Sequence, residues 1–154
     1  MKSASLISIV FAVSTLLFAQ NTKAASTDTA FDGTWSVTVD AHEYKNPDGS
    51  VSLAWVKHFP AKVKNVVLHG DRGVKGAAGW YELNGKIAAN GTAILPITGI
   101  NGDPAYAKLH ALPNTSYKYQ VIAHFDDRHG TGKSVEPVDP RVRFRLQFRH
   151  APTP

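Results

Sequence analysis

Apolar and polar side chains alternate along most of this chain with a period of two, the spacing that sends successive side chains to opposite faces of a strand. In residues 34–40, Trp35, Val37 and Val39 fall on one face, and Thr34, Ser36, Thr38 and Asp40 on the other. A turn signal follows at Asn46, Pro47, Asp48 and Gly49, where proline presets one dihedral and glycine supplies a positive one. Val51, Leu53, Trp55 and Phe59 then predict a second strand, which Pro60 is expected to interrupt because proline cannot donate to a ladder. Over residues 61–69, Val63 and Val67 lie on one face and Val66 and Leu68 on the other, which predicts a bulge or burial on both sides.

Two Asn-Gly pairs, at Asn84 and Asn90, compete for the next hairpin turn. A turn at Asn90 and Gly91 pairs residues 80–88 with 92–100 at ordinary strand length, whereas the earlier pair leaves strands of about four residues. Gly85 then falls inside a strand, as a bulge or a place of close approach. Residues 105–114 show no regular helical period before Pro113, which predicts one helical turn or a short irregular strand. Residues 117–125 alternate, 126–130 turn, and 131–136 return as a partner strand. In the terminal strand Val142, Phe144, Leu146 and Phe148 face one way, and Arg141, Arg143, Arg145, Gln147 and Arg149 the other. The fold class is therefore all-β, a single antiparallel barrel or sandwich of about eight strands in up-and-down order.

The first 25 residues do not share this pattern. Lys2, an apolar run over residues 6–18 and small residues at Ala24 and Ala25 predict a secretory signal peptide over residues 1–25. The run is shorter than the ~20 apolar residues that a bilayer-spanning helix needs, and no cysteine follows it to carry a lipid anchor. Residues 26–154 are then a single exported β domain, periplasmic or secreted, with no transmembrane segment. The chain has no cysteine, so it is disulfide-free, and thiol chemistry and thiolate metal sites are excluded.

Charge changes the picture only at the C-terminus. The chain holds 17 Lys and Arg against 12 Asp and Glu, but residues 141–154 hold Arg141, Arg143, Arg145 and Arg149 with no acid. A basic excess confined to one strand does not predict a nucleic-acid binder, which spreads it over a face. Same-face residues lie about 6.6–7 Å apart along a strand, so the four arginines are candidates for binding a phosphate, sulfate or carboxylate. The alternatives are a solvated edge strand and cross-strand pairing with acids.

Seven histidines are present, yet none forms a closely spaced pair, so no metal site is assigned; His124 and His129, with Asp126 and Asp127, make the best local cluster. No nucleophile elbow, phosphate loop or metalloprotease motif occurs, so no catalytic residue and no cofactor is assigned. Asp71, Glu82, Asp126 and Glu136 would serve as an acid and base only if folding gathered them.

Gly33, Thr34 and Trp35, with an arginine-bearing last strand, resemble the calycin group of lipocalins and avidins. That resemblance implies a calycin-like barrel in which Trp35 closes one end and Arg143 or Arg145 packs over it. Residues 31–37, Asn90 to Ala93, the Tyr117, Tyr119, Val121, Ala123, Phe125 series and Gly130 to Lys133 are similar to small exported β-proteins of Gram-negative bacteria, which implies a periplasmic location and no particular activity.

Most aromatics occupy strand positions and are expected in the core. Trp80 and Tyr81 are adjacent and must point to opposite faces, so one of them is a candidate wall or contact residue. The expected function is non-catalytic binding of a small ligand in the barrel, with Trp35, Trp55 and Trp80 as wall residues. One alternative is an interaction protein whose arginine face meets an acidic partner or polyanion; another is a small hydrolase with carboxylates in the barrel mouth.

Overall fold

Alternation becomes ladder along nearly the whole chain. The structure is a computed structural model that describes residues 30–135 and 144–151. Its strands are β1 (Gly33–Ala41), β2 (Tyr44–Lys45), β3 (Val51–Ser52), β4 (Trp55–Lys64), β5 (Val67–Arg72), β6 (Tyr81–Lys86), β7 (Thr92–Ile100), β8 (Ser116–Phe125), β9 (His129–Val135) and β10 (Phe144–His150). Eight of them close an antiparallel barrel in the order β1-β10-β9-β8-β7-β6-β5-β4. Apart from the closing pair β1 and β10, every barrel neighbour is also the neighbour in sequence once the β2-β3 hairpin is set aside, so the barrel runs up and down. β1 closes it by pairing on both edges, with Trp35 opposite Ala61 of β4 and His150 of β10. The signal-peptide reading falls on residues outside those described.

Three local expectations change. The row from Val51 to Phe59 is two elements, because Val51 and Ser52 pair with Tyr44 and Lys45 in a side hairpin around the Asn46–Gly49 turn, and the barrel strand begins only at Trp55. Pro60 does not break that strand. The ladder from β4 to β5 runs only from Ala61 to Lys64, so Pro60 lies just beyond its end, where a missing N–H forfeits no bond on that side. Residues 61–69 contain neither a bulge nor a strand buried on both sides. They turn at Asn65 and Val66, both with positive φ (52° and 61°), and this reversal is what puts Val63 and Leu68, a register pair, on the same inner face.

A β-branched residue is strained in that conformation. Asp32 holds the turn, its carboxylate accepting from the backbone N–H of Asn65 at 3.0 Å and of Val66 at 3.2 Å. The turn at Asn90 and Gly91 forms as expected, with the Asn90 side chain accepting from the Thr92 N–H. Tyr81 pairs with Gly99 and Ile87 with Ala93 in the same register on either side of Gly85, so no residue is inserted there and Gly85 is a close approach and not a bulge. A Cβ there would lie 2.8 Å from the Ile94 carbonyl oxygen. Residues 104–110 form two 3-10 turns, Pro104–Tyr106 and Lys108–His110.

The barrel has one sealed end. Trp35 is fully buried, donates its indole N–H to the Phe31 carbonyl at 2.9 Å, and meets Phe125 edge-on at 5.4 Å. Phe125 in turn packs on Phe148 at 4.8 Å. The last-strand residue that covers Trp35 is His150, its register partner, at 5.1 Å between rings. It is not Arg145, which points outward; Arg143 lies outside the described residues. Val39, Leu83, Leu95, Val121 and Leu146 continue the packed interior at 0–1 % exposure, each fully buried aliphatic side chain stabilising by about 1.5–3 kcal/mol.

Candidate ligand-binding site at the barrel mouth

At the other end the strands are joined by the longer connections 42–54, 73–80 and 101–115, and the inner face changes character. Phe59, Ala61 and Val63 of β4 are buried, so the period of two also turns Trp55 and Lys57 inward. On β8 the buried row Val121, Ala123 and Phe125 extends to Tyr119 and Tyr117, and on β10 the row Leu146 and Phe148 begins with Phe144. With Tyr81 of β6 these side chains line the inner part of a cavity of about 1410 Å³, which also runs over the 101–115 connection and onto the outward positions Pro96, Lys118 and Gln120.

The aromatic walls are ordered. Tyr117 stacks on Tyr119 with 15° between their planes, and Tyr119 on Phe144 with 16° at a ring separation of 4.7 Å. Trp55 flanks Phe144 at 5.8 Å. Gly99 pairs with Tyr81 on one side and Tyr117 on the other. A side chain at Gly99 would strike the Tyr117 ring and hydroxyl, so its absence lets Tyr117 lie across β7 toward Tyr81.

Two polar groups stand among these rings. The Lys57 ammonium sits 4.8 Å from the centre of the Trp55 ring, a cation–π distance. Partial burial, and then the charge of Arg72, hold its pKa below the ordinary lysine value. Tyr81 is 3 % exposed, and its hydroxyl has no hydrogen-bond partner among the described residues. A buried hydroxyl left so costs about 1–3 kcal/mol. Burial pushes the Tyr81 phenol well above its usual range, the neighbouring Tyr117 adding to the effect and Arg72 opposing it. Burial raises Tyr117 to about 12. Both phenols therefore stay protonated at neutral pH and are poor general bases.

Of the three candidate wall tryptophans, Trp55 lines this cavity. Trp35 lies in the sealed core at the opposite end. Trp80 is buried at 7 % exposure but does not line the cavity; its ring lies 5.6 Å from the Lys75 ammonium, and its backbone joins Ala77 and Ile100. Tyr81 is the inward member of that adjacent pair, because it shares the parity of Leu83.

Arg145 and Arg149 are exposed on the outer face. Arg145 lies between Asp40 of β1 and Lys133 of β9, and Arg149 between Ser36 and His129. Arg141 and Arg143 fall outside the described residues. Asp71 and Glu82 are cross-strand partners on the outer face near His69, which lies 3.5 Å from Glu82. Asp126 sits at the sealed end, where its carboxylate accepts from the Arg128 and His129 backbone N–H groups. These carboxylates do not gather in the mouth, and Glu136 is outside the described residues. Among the described residues no group of three His, Asp or Glu side chains is placed to hold a metal ion.

Sequence reasoning missed Lys57, Tyr117, Tyr119 and Phe144 as a group. The available signal was phase. Lys57 occupies the same parity as Trp55 and Phe59, and a lysine in an apolar row marks an interior position with room for a charge. The chain matches no known protein family, and no curated protein is significantly similar to it.

Proposed function

We propose that the protein is an exported, periplasmic or secreted, non-catalytic binder of a small ligand held in the barrel mouth. The observation that carries this reading is the cavity, walled by Trp55, Tyr81, Tyr117, Tyr119 and Phe144 above a solid core, with Lys57 inside it and an unpartnered Tyr81 hydroxyl buried in its wall. Small-molecule sites combine these features: apolar and aromatic walls with a few polar groups that fix orientation. The apolar run and small residues over positions 1–25 support export. The carboxylates named above lie away from the cavity, which favours binding over hydrolysis.

Native mass spectrometry of protein purified from its own host tests the reading. A reproducible excess mass, lost on denaturation, is expected. That ligand, added back to refolded protein, should quench tryptophan fluorescence in the wild type and not in Trp55→Phe, since Trp35 and Trp80 do not line the mouth. A clean apo mass, or equal quenching by the recovered ligand in Trp55→Phe and wild type, overturns the assignment.

A further inference from the structure

Resting on the reading of the mouth as the binding site, its residues also narrow what it takes. Among the charged described residues that line the cavity, Lys57 holds an inward strand position, whereas Lys118 faces outward on β8 and Lys108 and Asp103 lie on the 101–115 connection. The Asp103 carboxylate already accepts from the Ala105 N–H at 2.9 Å. Lys57 has no ion-pair partner among the described residues, and the second cation beside it, Arg72, is the cross-strand neighbour of Tyr81. A positive field of this kind repels cations and attracts anions. The Tyr81 hydroxyl adds a buried donor that lacks an acceptor. Lys57 calls for an oxygen carrying negative charge and the Tyr81 hydroxyl for an acceptor oxygen, and one carboxylate supplies both.

The shape of the site decides the rest of the molecule. Immediately below the mouth the barrel is filled by Val39, Leu83, Leu95, Val121 and Leu146 at 0–1 % exposure, so no channel continues inward for a long acyl chain. The rings of Tyr117, Tyr119 and Phe144 lie within about 15–16° of parallel from one to the next. A flat ring extends such a series through offset stacking, which a flexible chain cannot do. We propose that the mouth binds a small planar aromatic carboxylate, its charged group on Lys57 and the Tyr81 hydroxyl and its ring among Tyr117, Tyr119 and Phe144.

Isothermal titration of the refolded mature protein with naphthalene-2-carboxylate, naphthalene-2-carboxamide and dodecanoate tests this. The naphthalene carboxylate is expected to bind about tenfold or more tighter than the carboxamide, because only the anion gains a charge-assisted bond. Lys57→Met keeps most of the apolar stem and is expected to cost the carboxylate about tenfold to hundredfold while leaving the carboxamide within about twofold. Tyr81→Phe is expected to weaken both naphthalene probes by about twofold to tenfold, since each offers an oxygen to the hydroxyl. Equal binding of carboxylate and carboxamide by the wild type overturns the anion assignment and leaves the mouth a neutral-ligand site. Dodecanoate binding more tightly than naphthalene-2-carboxylate overturns the planar assignment. Absence of binding by all three up to about 1 mM overturns this inference, and a native mass without excess would then remove the binding reading as well.

Discussion

Replacing Tyr81 by Phe should make the ligand-free protein more stable. The hydroxyl is buried in a side chain that is 3 % exposed and has no partner among the described residues. Its ring meets Phe59 edge-on at 5.0 Å, a contact that phenylalanine preserves. The substitution thus removes one unsatisfied polar group and leaves a void of only one oxygen. An unsatisfied buried hydroxyl costs about 1–3 kcal/mol; allowing for the void, a gain of about 1–2 kcal/mol is expected, or roughly 4–8 °C in Tm at about 4 °C per kcal/mol for a domain of this size. Differential scanning calorimetry on protein unfolded, dialysed and refolded to remove any ligand is the assay. With saturating naphthalene-2-carboxylate the gap should narrow, because the wild type alone gains the hydroxyl's bond and binding stabilises by RT ln(1 + [L]/Kd). A lower Tm for ligand-free Tyr81→Phe would refute the reasoning, since it would mean that the hydroxyl is already satisfied.

The same two phenols set an alkaline limit. Both have folded-state pKa values above the ordinary tyrosine value of 10.0, Tyr117 at about 12. The unfolded chain therefore loses these protons first, and stability present below pH 10 falls as pH rises toward 12, by up to about 1.4 kcal/mol per unit for each phenol; urea unfolding should show a shallower decline in Tyr81→Phe than in the wild type. Asp32→Ala removes the acceptor for the Asn65 and Val66 N–H groups at a left-handed turn, with an expected loss of about 1–2 kcal/mol in urea titration, and a loss below about 0.5 kcal/mol would show that the turn holds itself. Gly99→Ala places a methyl group 2.9 Å from the Trp80 carbonyl oxygen and against the Tyr117 ring, so a loss of about 1–3 kcal/mol together with weaker Trp55 quenching by naphthalene-2-carboxylate is expected. The double change Arg145→Ala with Arg149→Ala touches only exposed positions and should leave the unfolding free energy unchanged to within about 0.5 kcal/mol and cavity binding intact; a loss of naphthalene-2-carboxylate binding would move the anion site to the outer face.

Much of the barrel was legible because alternation is a local property. Residues 34–40, 117–125 and 144–149 each show their period without reference to the rest of the chain, and Asn90 with Gly91 marks a hairpin by the dihedrals those residues tolerate. The misreadings fall where a local rule met a non-local partner. Pro60 was harmless because the ladder to β5 starts one residue later. Val66 accepts a left-handed conformation because Asp32, far away in sequence, bonds the turn. Val51 and Ser52 left the barrel to pair with Tyr44 and Lys45, and the Ser52 hydroxyl donates to the Ala107 carbonyl at 2.7 Å, a contact no periodicity reveals.

The site was less legible, for a related reason. All three tryptophans lie on or beside strands, and composition does not distinguish Trp35 in a sealed end from Trp55 at an open one. Alternation alone established that this chain makes a barrel or sandwich of about eight strands and, within most of them, which residues share a face, because side chains must alternate along an extended backbone. Which face is inner and which end is open followed from closure of the barrel. Closure of β1 on both β4 and β10 turned Trp35, Val37 and Val39 inward with Leu146 and Phe148 and turned Arg145 and Arg149 out. Parity is set residue by residue, but its phase relative to a common interior exists only once the last strand meets the first.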